Sequence, residues 1–501
     1  MKPKYFPVFF VLAILFASCV HKVKVVPQPG AGEFPADVAV IMQTKCAISG
    51  CHNQASYGNA DSLLLDNWTH LFQGGADGAV VIPYSTAFST LLYYVNTNSQ
   101  LGPIYQPLMP VSTAKTPLAP LTSAEYATLS NWIKNGAPDA QGNIAFATDP
   151  DTRQKSYLIH GDCDKIIAVI DAKTGLAMRV IPIGDSSNGE SGHGIKFSPD
   201  GMYAYASVIG FNSFIKIDTR TDKVVASIDL TAAQSLYASA GSNSWADMVI
   251  SPTGDSLLLC DFAGIGCALL INTQTMTVIN GWPTLVNPHA PTANATIDTF
   301  FVTAQYGNTI YKLANRYIGY ISVNGATHST QASSNGTVQP DPHFIIMSPD
   351  HTKLFVTCQD QNNVKVIDAH SGALLDSIAV GTFPQDMAIS LTQPYLFVTC
   401  KEAPVVNGLG SVYIINYNTM QIAKVLQDQF YAPHGITVDD RDGLFYVASS
   451  NLGGTSHHPT ACGSPDGWYN AYYLNTLQPA FSDKRFSIFS DPYAMDIRFK
   501  Q

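Results

Sequence analysis

The sequence predicts a multidomain chain, a small all-α domain over residues 36–147 followed by an all-β seven-bladed propeller over 156–501, on three observations. From Ser156 onward, short strand-like runs alternate with tight turns and repeat as four-strand units. The opening of the unit recurs seven times, at Gly192-His193-Gly194, Trp245-Ala246-Asp247-Met248, Pro288-His289, Pro342-His343, Pro384-Gln385-Asp386-Met387, Pro433-His434 and Pro492-Tyr493-Ala494-Met495. The starts lie about 42 to 59 residues apart, the length of one four-stranded blade. Ahead of Ala147 the apolar residues fall instead at helical spacing. At 501 residues the chain is also too long for one growing core, which suits two domains.

Taken in order, residues 1–18 read as a signal peptide. Lys2 and Lys4 precede the apolar run Val8 to Phe16, too short to span a bilayer, and Ala17-Ser18-Cys19 follows. The segment resembles a bacterial lipoprotein signal, which implies that Cys19 becomes the acylated N-terminus; an ordinary signal peptide with an incidental cysteine is the alternative. Residues 19–35, with Pro27, Pro29, Gly30 and Gly32, read as a flexible tether. The expected location is the periplasm or cell surface, anchored to a membrane through Cys19. Charged residues make up only 13% and the net charge is −10 with no basic run beyond the N-terminal region, so nucleic acid is not an expected partner.

The helical domain opens with a short amphipathic run, Asp37 to Lys45, leading into Lys45-Cys46-Ala47-Ile48-Ser49-Gly50-Cys51-His52-Asn53. Two cysteines followed at once by histidine is how a c-type haem is attached, thiols adding to the vinyl groups and the imidazole lying under the iron. Here four residues separate the cysteines instead of two. Zinc is the competitor, and its best local set is Cys46, Cys51, His52 and His70. A second helical run covers Ala87 to Val95. Leu108-Met109-Pro110 then offers a thioether on a loop, able to close the sixth position of a haem iron, although a single Met is more often a core residue. The third helix has Thr122 as N-cap with Glu125 three residues on, a capping box, then Tyr126, Leu129, Trp132 and Ile133 on one face. Gly136 and Pro138 stop it. This order, down to Asn131-Trp132-Ile133-Lys134-Asn135-Gly136-Ala137-Pro138, resembles the class I cytochrome c family. The resemblance implies one covalent haem c, with Cys46 and Cys51 as thioether anchors, His52 as proximal ligand and Met109 as distal ligand.

In the propeller, the last start (Pro492 to Phe499) has no room for three further strands, while Tyr157 to Ile183 supplies three strands with no start. The two ends should complete one blade. Phe355-Val356-Thr357, Phe397-Val398-Thr399 and Val366-Ile367-Asp368 resemble the YVTN-type propeller repeats. The layout is also similar to the periplasmic haem nitrite reductases, whose propeller has eight blades and holds a second haem. Equivalent positions of the inner strands meet on one rim, so alignment of the starts gathers His193, Ala246, His289, His343, Gln385, His434 and Tyr493. A metal or second haem there is one reading. The other is that these residues cap backbone groups or water in a polar channel, since the histidines occupy ring positions one, three, four and six and look spread. His160 and His457-His458 are further candidates. Some of Cys163, Cys260, Cys267, Cys358, Cys400 and Cys462 could pair in an oxidising compartment, Cys260 with Cys267 across a hairpin and Cys358 with Cys400 between repeats, although sequence does not fix the connectivity and buried free thiols fit equally well.

These features lead to an extracytoplasmic c-type haem protein carrying out electron transfer with an unidentified redox partner, its propeller serving for docking or for a second cofactor. An oxidoreductase with a metal or haem at the histidine rim is the first alternative. A non-enzymatic surface binding propeller with a vestigial haem domain is the second. No hydrolase triad, phosphate-binding loop or nucleotide fingerprint is present in the sequence.

Overall fold

Proline or a small residue opens most of the inner strands because the first position of such a strand needs no ladder donor. The computed structural model describes residues 33–112, 117–146, 155–161, 165–184, 191–210, 213–233, 244–262, 265–324, 327–328, 340–402, 409–427, 430–450, 467–481 and 484–498. Cys19, Cys163, His457, His458 and Cys462 lie outside the described residues, as do the expected signal peptide and most of the tether.

Seven antiparallel sheets form the propeller. The inner strands of blades 1 to 7 are Ser191–Phe197, Trp245–Ile250, Pro288–Ala293, Pro342–Met347, Thr382–Ile389, Pro433–Asp439 and Pro492–Ile497. Each touches the next, and the seventh touches the first, so the ring is closed. Six blades have four strands, and blade 3 adds a fifth, Thr327–His328. Second strands such as Lys353–Cys358 are buried almost throughout because a blade packs on both faces, whereas the fourth strand Leu374–Ala379 is mostly exposed.

Blade 7 is assembled from both ends of the domain. Pro492–Ile497 pairs antiparallel with Lys155–His160, with Tyr157 opposite Asp496 and Leu158 opposite Met495. Two cations lock this blade to blade 1: the buried Lys155 Nζ lies 2.8 Å from Asp222 and donates to the Thr219 carbonyl, and Arg498 Nε donates to the Gly201 carbonyl at 2.7 Å. Elsewhere a hydroxyl on the second strand joins neighbours. Thr357 Oγ1 accepts from the Phe344 N–H at 2.9 Å and donates to the Gln385 carbonyl of the next blade at 2.8 Å. Ser207, Thr303 and Thr399 do the same toward Ala246, His343 and His434. The threonine of the repeat motif is therefore the stitch between blades.

Of the two readings of the propeller cysteines, bridges or buried free thiols, the second holds for the four that the structure describes. Cys260, Cys267, Cys358 and Cys400 are free thiols. Cys260 and Cys267 face different inter-blade cores, as do Cys358 and Cys400, so each pair is separated by a sheet.

Residues 33–146 are turn and loop around four helices: α1 (Ala36–Ile41), α2 (Trp68–Leu71), α3 (Thr90–Val95) and α4 (Ser123–Lys134). The expected run to Lys45 changes geometry at Met42, where a π turn, Met42–Cys46, carries the chain to the first cysteine. The Ala87–Val95 run is helical only from Thr90. Helix α4 starts where expected: Thr122 Oγ1 accepts from Glu125 N–H, and the Glu125 carboxylate accepts from Thr122 N–H at 2.7 Å. It packs on α1, with Trp132 edge-on to Phe34 at 5.9 Å, and the indole N–H groups of Trp132 and Trp68 donate to the Pro138 and Ala137 carbonyls.

This region docks on blades 6 and 7. Arg485 N–H and Ser487 N–H donate to the Ala76 and Asp77 carbonyls, and Phe88 packs on Phe489 at 4.4 Å. Gly78, at φ +94°, lets the loop approach Phe486; a Cβ there would stand 3.2 Å from that ring. Among the described residues, no helix is long and apolar enough to cross a membrane.

Candidate functional site

Two constellations carry chemistry. In the first, the Cys46–Cys51 loop closes through Cys51 N–H to the Ile48 carbonyl and His52 N–H to the Cys46 carbonyl, both 3.1 Å, with Gly50 in the left-handed region at φ +86°. Both cysteines are free thiols. Burial, reinforced by neighbouring Cys51, pushes the Cys46 thiol up to about 12, so it stays protonated at neutral pH. The zinc set does not assemble. Among the described residues, the groups of three or more potential ligands that converge both lie in the propeller, and His70 Nδ1 instead faces Asp66 at 2.5 Å.

His52 is half-buried, and burial lowers its pKa, which favours the neutral ring. Its Nδ1 lies 3.0 Å from the Leu63 carbonyl. A carbonyl only accepts, so Nδ1 carries the proton and Nε2 keeps its lone pair. That is how an iron-ligating imidazole is oriented. Met109 is half-buried, its backbone N–H donates to the Tyr94 carbonyl at 2.7 Å, and its side chain packs on the same apolar cluster as Cys46. By residue type, two free thiols, an imidazole with Nδ1 as donor and a thioether match the donors that a covalently held haem uses.

The second constellation is the propeller hub. His193, His289, His343, His434 and Tyr493 are all buried and form a closed circuit of rings: centroids stand 5.2 Å apart for His193–His289, 4.4 Å for His289–His343, 5.4 Å for His343–His434, 3.9 Å for His434–Tyr493 and 4.8 Å for Tyr493–His193. The histidines that look spread in ring order are thus neighbours in space, because the hub is narrow. Tyr493 Oη lies 3.1 Å from His193 Nε2.

Two of the three blades without a rim histidine supply carboxylates that the alignment of starts passes over. Asp247 lies between His193 and His289, with Oδ1 and Oδ2 at 3.8 and 3.9 Å from their Nδ1 atoms. Asp386 lies between His343 and His434, at 4.0 and 3.3 Å. The aligned residues play other parts: Ala246 offers only its carbonyl, and Gln385 Nε2 turns back to the Phe383 carbonyl at 2.9 Å. Each inner strand slips register at this point, between Gly192 and Ile195, Trp245 and Met248, Pro288 and Pro291, Pro342 and Ile345, Pro384 and Met387, and Pro433 and Ile436. Such a bulge breaks strict alternation and lets the residue after the rim position face the axis. The usable signal was the shared Asp-Met of Ala246-Asp247-Met248 and Gln385-Asp386-Met387. Burial, and then the nearby charge of Asp386, raise the Asp247 carboxyl well above its ordinary value. His160 is not part of the hub; it ends the second strand of blade 7, with Nδ1 on the Ser490 carbonyl at 2.9 Å.

No protein-family model matches the chain, and no curated protein matches it significantly. Solved structures do. Hydrazine synthase of Kuenenia stuttgartiensis is 16% identical, with 62% of this chain aligned to 90% of that one at a TM-score of 0.45. The dihydro-haem d1 dehydrogenase NirN is 13% identical, with 75% aligned to 86% at 0.44. A functionally unknown protein from Desulfotomaculum acetoxidans is 12% identical, with 69% aligned to 99% at 0.50. At these identities the likeness concerns fold alone: the chain contains a seven-bladed β-propeller, an architecture shared by proteins of many functions.

Proposed function

We propose that this is an extracytoplasmic c-type haem protein that transfers electrons, held at a membrane by acylated Cys19, with a protein redox partner. Cys46 and Cys51 would tether one haem c, and His52 and Met109 would ligate its iron. Such a haem supplies a one-electron couple whose potential a thioether ligand raises. The observation that carries the reading is the His52 ring, which follows two free thiols in the chain and has a lowered pKa, with Nδ1 held on the Leu63 carbonyl so that Nε2 is the nitrogen that would take the iron. The backbone bond to Tyr94 and the apolar packing hold Met109 in place.

The test is an optical spectrum, oxidised and dithionite-reduced, of protein matured in a periplasm with c-type haem assembly. A sharp reduced c-type spectrum that survives acid extraction is expected, and the Cys46→Ala/Cys51→Ala double variant should lose it. Protein matured under those conditions without covalent haem would overturn the reading.

A second reading, an oxidoreductase whose haem exchanges electrons with a centre in the propeller, is favoured by the convergence of four histidines and two aspartates at the hub. The segment that docks the N-terminal region ends at Pro492, next to Tyr493 of that hub. Additional absorption bands that wash out on extraction would place a second cofactor in the propeller and favour this reading.

A further inference from the structure

We propose that the propeller hub is a paired site for divalent transition-metal ions, one held by His193, Asp247 and His289 and the other by His343, Asp386 and His434. This gives chemical form to the hub centre of the second reading above, and its metal binding does not depend on haem at Cys46 and Cys51.

Spacing is the first argument. Within each triad the candidate ligand atoms all lie within 4.8 Å of one another. Three of the four carboxylate–imidazole separations, 3.8, 3.9 and 4.0 Å, are too long for hydrogen bonds. Neighbouring ligands around an ion with bonds of ~2.1 Å stand about 3–3.5 Å apart, so each triad needs only a small contraction to close on a metal. His289 Nδ1 also lies 3.1 Å from the His343 carbonyl, a contact that coordination through Nδ1 would replace.

Unmet hydrogen-bonding capacity is the second. His434 is only 6% exposed, yet neither ring nitrogen makes a hydrogen bond among the described residues. Asp386 is 8% exposed and its Oδ1 makes none either. Polar atoms left so in an interior destabilise the fold, and coordination to a cation removes that cost. Two carboxylates buried close together also call for positive charge between or beside them.

Ligand type decides the metal class. Two imidazoles and a carboxylate suit Fe2+, Co2+ or Zn2+, whereas Ca2+ and Mg2+ take oxygen ligands. Three protein ligands per ion leave positions for water or a small donor molecule. Thr399 and Thr303, bonded to the His434 and His343 carbonyls, hold the backbone that presents two of the ligands, and the Tyr493 hydroxyl steadies His193.

The experiment uses the full chain, stripped with a chelator, dialysed and titrated with Co2+ by calorimetry and visible absorption. Two Co2+ per chain are expected, with ligand-field bands of nitrogen–oxygen coordination. The His343→Ala/His434→Ala variant should keep one, and the further addition of His193→Ala and His289→Ala should abolish both. Melting curves without metal establish that each variant folds, and Co2+ should raise the melting temperature only of chains that retain a triad. Absence of binding by folded wild-type protein, a stoichiometry of one, or binding unchanged in the fourfold variant would each overturn the paired site. The haem spectrum is read separately, so loss of one proposal is distinguishable from loss of the other.

Discussion

Thr399 sits where two neighbouring blades meet. Its hydroxyl accepts from the Asp386 N–H at 3.1 Å and donates to the His434 carbonyl at 2.8 Å, both buried. Thr399→Val keeps the shape and strands both backbone groups, so a loss of about 1–3 kcal/mol is expected in urea unfolding. Because the two stranded groups belong to proposed ligands, Co2+ binding by the second triad should weaken as well. His160 makes a different prediction. Burial lowers its pKa to about 4 from 6.5, outweighing the bond to Ser490. The folded state therefore resists protonation in a range where the unfolded chain accepts it, and the stability due to the neutral ring is complete above about 6.5 and lost as pH falls toward 4. The urea midpoint should drop across that window, and the drop should shrink in His160→Gln; an unchanged slope would contradict it. At this scale the histidines of the rim were legible, because one repeat aligned on the next places them. Asp247 and Asp386 were not, because alternation assigns adjacent residues to opposite faces. The bulge that turns them inward is a property of two paired strands, which one strand's sequence does not contain.

Local chemistry decided which elements could be read. Helix α4 was legible to the residue because a capping box is a short-range pattern, Thr122 and Glu125 satisfying each other's backbone. Thr122→Ala should cost about 1 kcal/mol, measured as a shift in the melting of the N-terminal region. The effect stays modest because packing of Trp132 and Ile133, both buried, does most to hold the helix. The π turn at Met42–Cys46 was not legible, since it continues the same apolar pattern as α1 and differs only in its hydrogen-bond spacing. Cysteine pairing stayed open for a related reason. Cys260 and Cys267 are close along a hairpin, but the second strand puts them on opposite faces of one sheet, and sequence distance says nothing of face until the register is known.

Closure governs the whole molecule. The seam between the N-terminal region and the propeller joins scattered residues by backbone bonds such as Ser487 N–H to the Asp77 carbonyl, by Lys484 Nζ to the Gln73 and Gly75 carbonyls and by Phe88 on Phe489, a combination that no local pattern announces. The joining of first and last strands, by contrast, followed from counting strands against starts, and Pro492–Ile497 completes the sheet of Lys155–His160. That strand does three things at once. It removes two sheet edges, covers the inter-blade core with the buried Met495 and Ile497, and brings Tyr493 to the hub. Deleting residues 492–501 should therefore cost far more than ten residues of an outer strand would. The exposed edge of Lys155–His160 is a template for pairing with another chain, so size-exclusion chromatography should show oligomers or aggregate and the cooperative unfolding transition should be lost. Tyr493→Phe separates the contributions, because it keeps the strand and removes only the hydroxyl beside His193. It should remain monomeric, with a melting temperature within a few degrees of wild type, while its Co2+ affinity falls at the first triad. A truncated chain that stays monomeric and melts like the full one would show that the ring is held by its other six blades, with the final strand dispensable to closure.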